Sequence, residues 1–167
     1  MEYTVAFDVP AEKIHQDLTS RDYWQTLMEI YQLVSPQSEM THFHSDETGA
    51  DVVFKQVLPR SDLPPIARSV MPVDMFITRE QHFDPFDHSN NRATGSYGAS
   101  VPHGPGHLGG TYLLTETGTG TQLRIASECR VHIPFVGGKL EDLILHNIHQ
   151  IFDAEEAFTA DWIARHH

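Results

Sequence analysis

At 167 residues, with 40% hydrophobic and 20% charged residues, the chain has the composition of one globular domain and no apolar run long enough to span a bilayer. Eleven Lys and Arg against 23 Asp and Glu give a formal charge of −12. Such a surface repels phosphate backbones and anionic headgroups, so neither nucleic-acid binding nor stable membrane insertion is expected. The single cysteine, Cys129, permits no internal disulfide, and the N-terminus lacks a basic stretch ahead of an apolar block; a cytoplasmic location is the expectation.

Glu2 to Val9 alternates, with Tyr3, Val5, Phe7 and Val9 on one side, as a half-buried strand does. Pro10 opens a helix whose apolar face is Ile14 and Leu18. Ser20 stands as the N-cap of a second helix over Arg21 to Leu33, with Tyr23, Trp24, Leu27, Met28 and Tyr31 on its inner side, and Ser35-Pro36 breaks it. Period-two patterns follow. Glu39 to Ser45 and Asp51 to Leu58 form a hairpin about Glu47-Thr48-Gly49. Leu63 to Val70, opened by Pro64-Pro65 and closed by Pro72, reads as a short helix or a flap. Strands are predicted at Met75 to Phe83, Arg92 to Val101, Gly110 to Glu116 and Gln122 to Ile133.

A Pro134-Phe135-Val136-Gly137-Gly138 hinge then leads into one long helix, Lys139 to Arg165. At about 100° per residue, Leu140, Ile144, Ile148, Ile151, Phe158 and Trp162 share a stripe, opposite Asp142, His146, His149, Asp153 and Ala160. With no repeat and no linker, the chain reads as one domain over 1–167. Strand, two short helices, six strands and a long helix make an antiparallel α+β fold.

The opening Phe7-Asp8-Val9-Pro10-Ala11-Glu12-Lys13-Ile14-His15, with Leu18-Thr19 and Asp22-Tyr23-Trp24, resembles the START-like (Bet v 1-like, SRPBCC) superfamily. Val131 to Glu141 and Ala154 to Trp162 are similar to one branch of it, the bacterial family DUF2505. The resemblance implies a helix-grip fold: a curved seven-stranded antiparallel sheet around a long C-terminal helix, with a cavity between them. It also implies the range of roles in the superfamily, namely binding of lipids, sterols or polyketides, cyclase chemistry, and stimulation of a chaperone ATPase. No catalytic residue carries over, because the branch has no established activity.

Candidate ligand contacts follow from the inward faces. Ile77, Arg79 and Phe83 share the more apolar parity of their strand, Ile125 lies on the inward side of the last strand, and Phe54 on that of the hairpin. Tyr97 sits among Ala93, Gly95 and Ala99, small residues that either leave ligand space beside it or admit close packing of the flap or the long helix. Asn147, Ile148, Ile151 and Glu155 fall on or beside the apolar stripe of the long helix. A buried ion needs a partner, so Arg79 and Glu155 are read either as a structural pair or as ligand contacts. The residues thus point to a small apolar ligand held between helix and sheet, without a cofactor. Two other readings stay open: a cyclase or lyase using Arg79, Glu155 or Tyr97, and a protein-interaction module whose partner the sequence does not name. Six of the twelve histidines cluster, at His42 and His44, at His103 and His107, and at His146 and His149 beside Asp153; no metal site is expected from sets this small. Cys129 faces inward and reads as a small hydrophobe, not a nucleophile.

Overall fold

The computed structural model of the chain describes residues 1–70, 73–102 and 104–167. Pro72 and His103 therefore lie outside the described residues. The elements run β1 (Glu2–Phe7), α1 (Ala11–Leu18), α2 (Arg21–Tyr31), β2 (Glu39–Asp46), β3 (Gly49–Leu58), a 3₁₀ turn (Arg60–Asp62), α3 (Pro65–Arg68), β4 (Met75–Phe83), β5 (Arg92–Ser100), β6 (Gly106–Glu116), β7 (Thr121–Val131) and α4 (Gly137–His166). The strands form one curved antiparallel sheet in the order β1-β7-β6-β5-β4-β3-β2. Among the described residues no helix is long and apolar enough to cross a membrane.

Alternation decides which face of the sheet is inside. On β7, Leu123, Ile125, Ser127 and Cys129 are buried while Arg124, Glu128 and Arg130 are exposed, so a single register buries every apolar residue of one parity. On β2 the inward residues Met40 and Phe43 are three apart because a bulge lies between Met40 and His42. Strand β6 begins at Gly106, four residues ahead of the expected Gly110. The glycines there serve close approach and not a turn: a Cβ on Gly106 would stand 2.8 Å from the Val131 Cα, and one on Gly110 would stand 2.7 Å from Cε1 of Tyr97. The Tyr97 ring thus occupies the space over Gly110.

Helices α1 and α2 close one part of the inner face. Ala11, Ile14 and Leu18 are buried on α1, and Tyr23, Trp24, Leu27 and Met28 on α2, with Trp24 Nε1 donating to the Leu18 carbonyl at 2.8 Å. Ser20 occupies the N-cap position in extended conformation, but its hydroxyl makes no capping bond. Helix α4 lies across the inner face, chiefly on β7 and β1. Its first turn is tight. Phe135 has φ 70°, and a Cβ on Gly137 would meet the Val131 carbonyl at 2.6 Å, so Gly137 lets the chain pass close to β7 as it turns into the helix.

The helix is rotated from its sequence-based phase. Leu140, Ile148, Phe152 and Thr159 are its buried residues beyond Gly137, whereas Ile151, Phe158 and Trp162 are half-buried. The stripe centres nearer Phe152, about 100° round from Ile151. The aromatic packing explains the shift: Phe152 meets Tyr3 at 5.5 Å and Tyr97 at 5.8 Å between ring centroids, and a residue on that bearing is held from both sides. Phe152→Ala should therefore cost about 3–5 kcal/mol in chemical denaturation. Trp162→Ala, which removes a half-buried ring and its bond to Asp17, is expected to cost less than Phe152→Ala; the reverse order would return the helix to its original phase.

Candidate functional site: two cavities divided by a buried ion pair

The inner face is not filled evenly. A cavity of about 230 Å³ lies between α3, the beginnings of β4 and β6, the ends of β5 and β7, and the N-terminal half of α4. Its walls are almost wholly apolar: Leu63, Ala67 and Val70 from the α3 segment, Met75 and Ile77 from β4, Cys129 and Val131 from β7, and Leu140, Ile144, Ile148 and Ile151 from α4. Leu63, Ala67 and Leu140 form a small buried cluster that seats α3 on α4. A second space of about 50 Å³ sits deeper, under α1 and α2, lined by Tyr23, Trp24, Phe83, Tyr112, Ile125 and Thr159 among others.

Arg79 lies between the two spaces. It is only 3% exposed, and its Nη1 and Nη2 donate to Glu155 Oε1 and Oε2 at 2.6 and 3.1 Å, a two-pronged pair that ties β4 to α4. Tyr31 OH donates to Glu155 Oε1 at 2.7 Å, adding α2 to the same knot. The Arg79 guanidinium carbon stands 5.2 Å from the Phe54 ring centre, 5.6 Å from that of Tyr97 and 5.7 Å from that of Phe152. Burial works against the Arg79 charge, but the Glu155 carboxylate together with the Tyr112 and Tyr31 hydroxyls outweighs it and holds the guanidinium pKa well above its ordinary value. Burial and the neighbouring Glu155 charge push the Tyr31 phenol up strongly, so it stays a neutral donor. Tyr112 donates to Gln81, and the Tyr97 hydroxyl is bonded to that of Ser127. Burial likewise raises the Tyr97 phenol and the Cys129 thiol, which leaves Cys129 a small hydrophobe in the cavity wall and not a thiolate nucleophile.

The ten candidate contacts therefore separate. Ile77, Arg79, Asn147, Ile148 and Ile151 line the larger cavity, with Asn147 exposed at its rim. Phe83, Ile125 and Glu155 line the inner space. Phe54 and Tyr97 line neither, and pack against Arg79 as part of the partition. The sequence-based site had not included the α3 wall or Met75, Leu108, Cys129 and Val131. The spacing of Leu63, Ala67 and Val70 (i, i+4, i+7) was the readable sign of the α3 wall. Among the described residues His107 is the histidine that lines the cavity, and no three His, Cys, Asp or Glu side chains converge on one point.

A family model described as a protein of unknown function (DUF2505) matches residues 2–163. The chain belongs to the DUF2505 family. An uncharacterised protein of Mycobacterium tuberculosis, Rv0481c, is 28% identical to this DUF2505 chain over 94% of it and 92% of the relative, and an uncharacterised protein of Mycobacterium bovis, Mb0491c, matches equally. Among solved structures, a Rhodobacter sphaeroides protein superposes with a TM-score of 0.56 at 12% identity, covering 99% of this chain and 93% of that one. Ara h 8.0201 superposes with a TM-score of 0.53 at 11% identity, covering 96% and 92%. These likenesses establish the Bet v 1-like α+β fold of the DUF2505 chain and nothing finer.

Removing one half of the partition should be costly. Glu155→Gln leaves the Arg79 charge buried without a counter-ion and is expected to destabilise the fold by about 3–5 kcal/mol. Adding Arg79→Met to Glu155→Gln removes the stranded charge, keeps an oxygen for Tyr31, and should restore most of the loss in urea denaturation. A double variant no more stable than Glu155→Gln alone would show that Arg79 is satisfied without Glu155.

Proposed function

We propose that the protein binds and carries a small apolar molecule in the larger cavity. The observation that supports this most strongly is the apolar wall itself, which bounds an open-mouthed space of about 230 Å³ between the α3 segment, the sheet and α4, with few polar groups at its margin. An apolar cavity of about 150 Å³ already accepts a benzene-sized guest, while drug-sized ligands occupy about 300–1,000 Å³. The space favours a molecule of one or two fused rings, or a short acyl chain, over a four-ring sterol. Burial of such a surface yields about 25 cal/mol per Å², and that alone gives useful affinity without any specific hydrogen bond.

The polar chemistry favours binding over catalysis. Both terminal nitrogens of Arg79 are taken by Glu155, Glu155 also accepts from Tyr31, and Tyr97 is engaged by Ser127, so the groups first considered as acid or base are committed to one another. A cyclase or lyase needs an acid or base within reach of its substrate, and these would first have to leave their partners. Fold likeness to Ara h 8.0201 agrees with a ligand-binding architecture but names no ligand.

A neutral naphthalene ketone whose fluorescence rises in apolar surroundings is a direct probe. The wild-type protein should bind it with one site per chain, and Ile151→Trp, which fills the cavity from α4, should weaken binding about tenfold or more while preserving the fold. Equal binding to both forms would place the probe elsewhere and refute the reading.

A further inference from the structure

The exposed apolar residues of this molecule are not scattered. The antiparallel order brings the end of β3, the start of β4, the end of β5, the start of β6 and the end of β7 to one end of the sheet, where the larger cavity also lies. The segment after α2 reaches the same end, because Ser35 is hydrogen-bonded to Val57 near the close of β3. Leu33 and Val34 stand there at 82% and 81% exposure, with Ile30 one turn before them. Leu58, Val73 and Phe76 are exposed about the β3–β4 connection. Phe135 is fully exposed on the turn into α4, on a backbone with φ 70°. Met1 is the exception, bonded to the Ser127 carbonyl at mid-height of β7. Among the described residues, the other large hydrophobic side chains that are exposed belong to this end.

Charge is distributed the opposite way. The connecting segments at this end, residues 32–38, 59–74, 101–105 and 132–136, contain two arginines, Arg60 and Arg68, and two aspartates, Asp62 and Asp74, and so carry no net charge. The chain as a whole carries −12, so the excess of acid lies elsewhere. A phenylalanine held outward at positive φ costs backbone energy that packing does not repay, which is the kind of strain found at functional surfaces.

We infer that this end is a docking surface for an uncharged lipid bilayer, through which an apolar ligand enters and leaves the cavity. The inference rests on the proposed function, since a molecule that suits the cavity also partitions into lipid. A bilayer fits these observations better than a protein partner does. The apolar side chains are spread over four separate segments, residues 30–34, Leu58, residues 73–76 and Phe135, an arrangement that a fluid interface accommodates and a rigid flat surface does not. The neutrality of the end lets it approach zwitterionic headgroups while the acidic remainder turns away. Contact is peripheral and reversible, as a few inserted side chains without a covalent anchor provide.

The test is sedimentation of the full-length protein with phosphatidylcholine vesicles. The wild type is expected to partition onto them with little dependence on salt, and less well when a quarter of the lipid is phosphatidylglycerol. Combining Phe135→Ser and Val73→Ser, or Leu33→Ser and Val34→Ser, should each lower the partition coefficient by about tenfold with no change in melting temperature, because these side chains are exposed. A wild type that stays in the supernatant, or variants that bind as well as it does, would overturn the inference. So would a dimer in analytical ultracentrifugation that the same substitutions dissolve, since the surface would then belong to a second copy. The naphthalene probe, measured without vesicles, keeps the two readings apart. Retained probe binding with failed vesicle binding removes only the docking surface; lost probe binding with retained vesicle binding removes only the cavity's occupant.

Discussion

The interior is organised by one ion pair. Arg79 reaches inward from the middle of the sheet and Glu155 from the middle of α4, and their two-pronged contact fixes the rotation and height of the helix over the strands. Desolvating two charges is costly, and the pair persists because it is surrounded by compensating groups: a third hydrogen bond from Tyr31 and the faces of Phe54, Tyr97 and Phe152. On one side of this knot the aliphatic face of α1 and the aromatics of α2 and β1 close nearly completely. On the other side, where α4 contributes aliphatic residues and Asn147 and α3 is a single turn, the interior stays open.

That asymmetry follows from side-chain size along α4. The C-terminal half carries Phe152, Phe158 and Trp162, which meet the rings of Tyr3 and Tyr23 and occupy the space between helix and sheet. The N-terminal half carries Leu140, Leu143, Ile144, Ile148 and Ile151, facing Ala99, Gly106 and Ile77 across the cavity. Small and aliphatic residues on both walls leave a gap that aromatic pairs would have closed. The same end has exposed apolar side chains and no net charge in its loops, so cavity, opening and surface chemistry coincide.

Much of this architecture was legible in the sequence, for reasons that differ by element. The alternation on β7 identified Leu123, Ile125, Ser127 and Cys129 as buried because a strand's two faces admit only two solutions. The helix was harder. Its apolar residues cover more than half of the circumference, so Ile151 and Trp162 competed with Phe152 for the centre, and the aromatic neighbours on other strands decided the outcome. The Arg79–Glu155 contact was readable as one of two options, since both residues fell on inward faces. The split of the candidate site into a cavity, an inner space and a partition was not readable, because it depends on how far each side chain fills the gap and not on which way it points. The start of β6 at Gly106, ahead of the expected Gly110, was hidden for a similar reason: glycine permits both a turn and a close strand approach, and only the pairing with Ser127 to Val131 distinguishes them.

The proposed binding places an apolar ligand in the space between α3, the sheet and the N-terminal half of α4. Intermolecular nuclear Overhauser effects between a bound neutral naphthalene ketone and methyl-labelled protein test it most directly. The expected result is a set of contacts from the ligand ring to the methyl groups of Ile77, Ile148, Ile151 and Val131 together, residues that only the larger cavity brings to one point. Contacts confined to Leu33 and Val34, or to residues of the inner space such as Ile14 and Leu123, would contradict it.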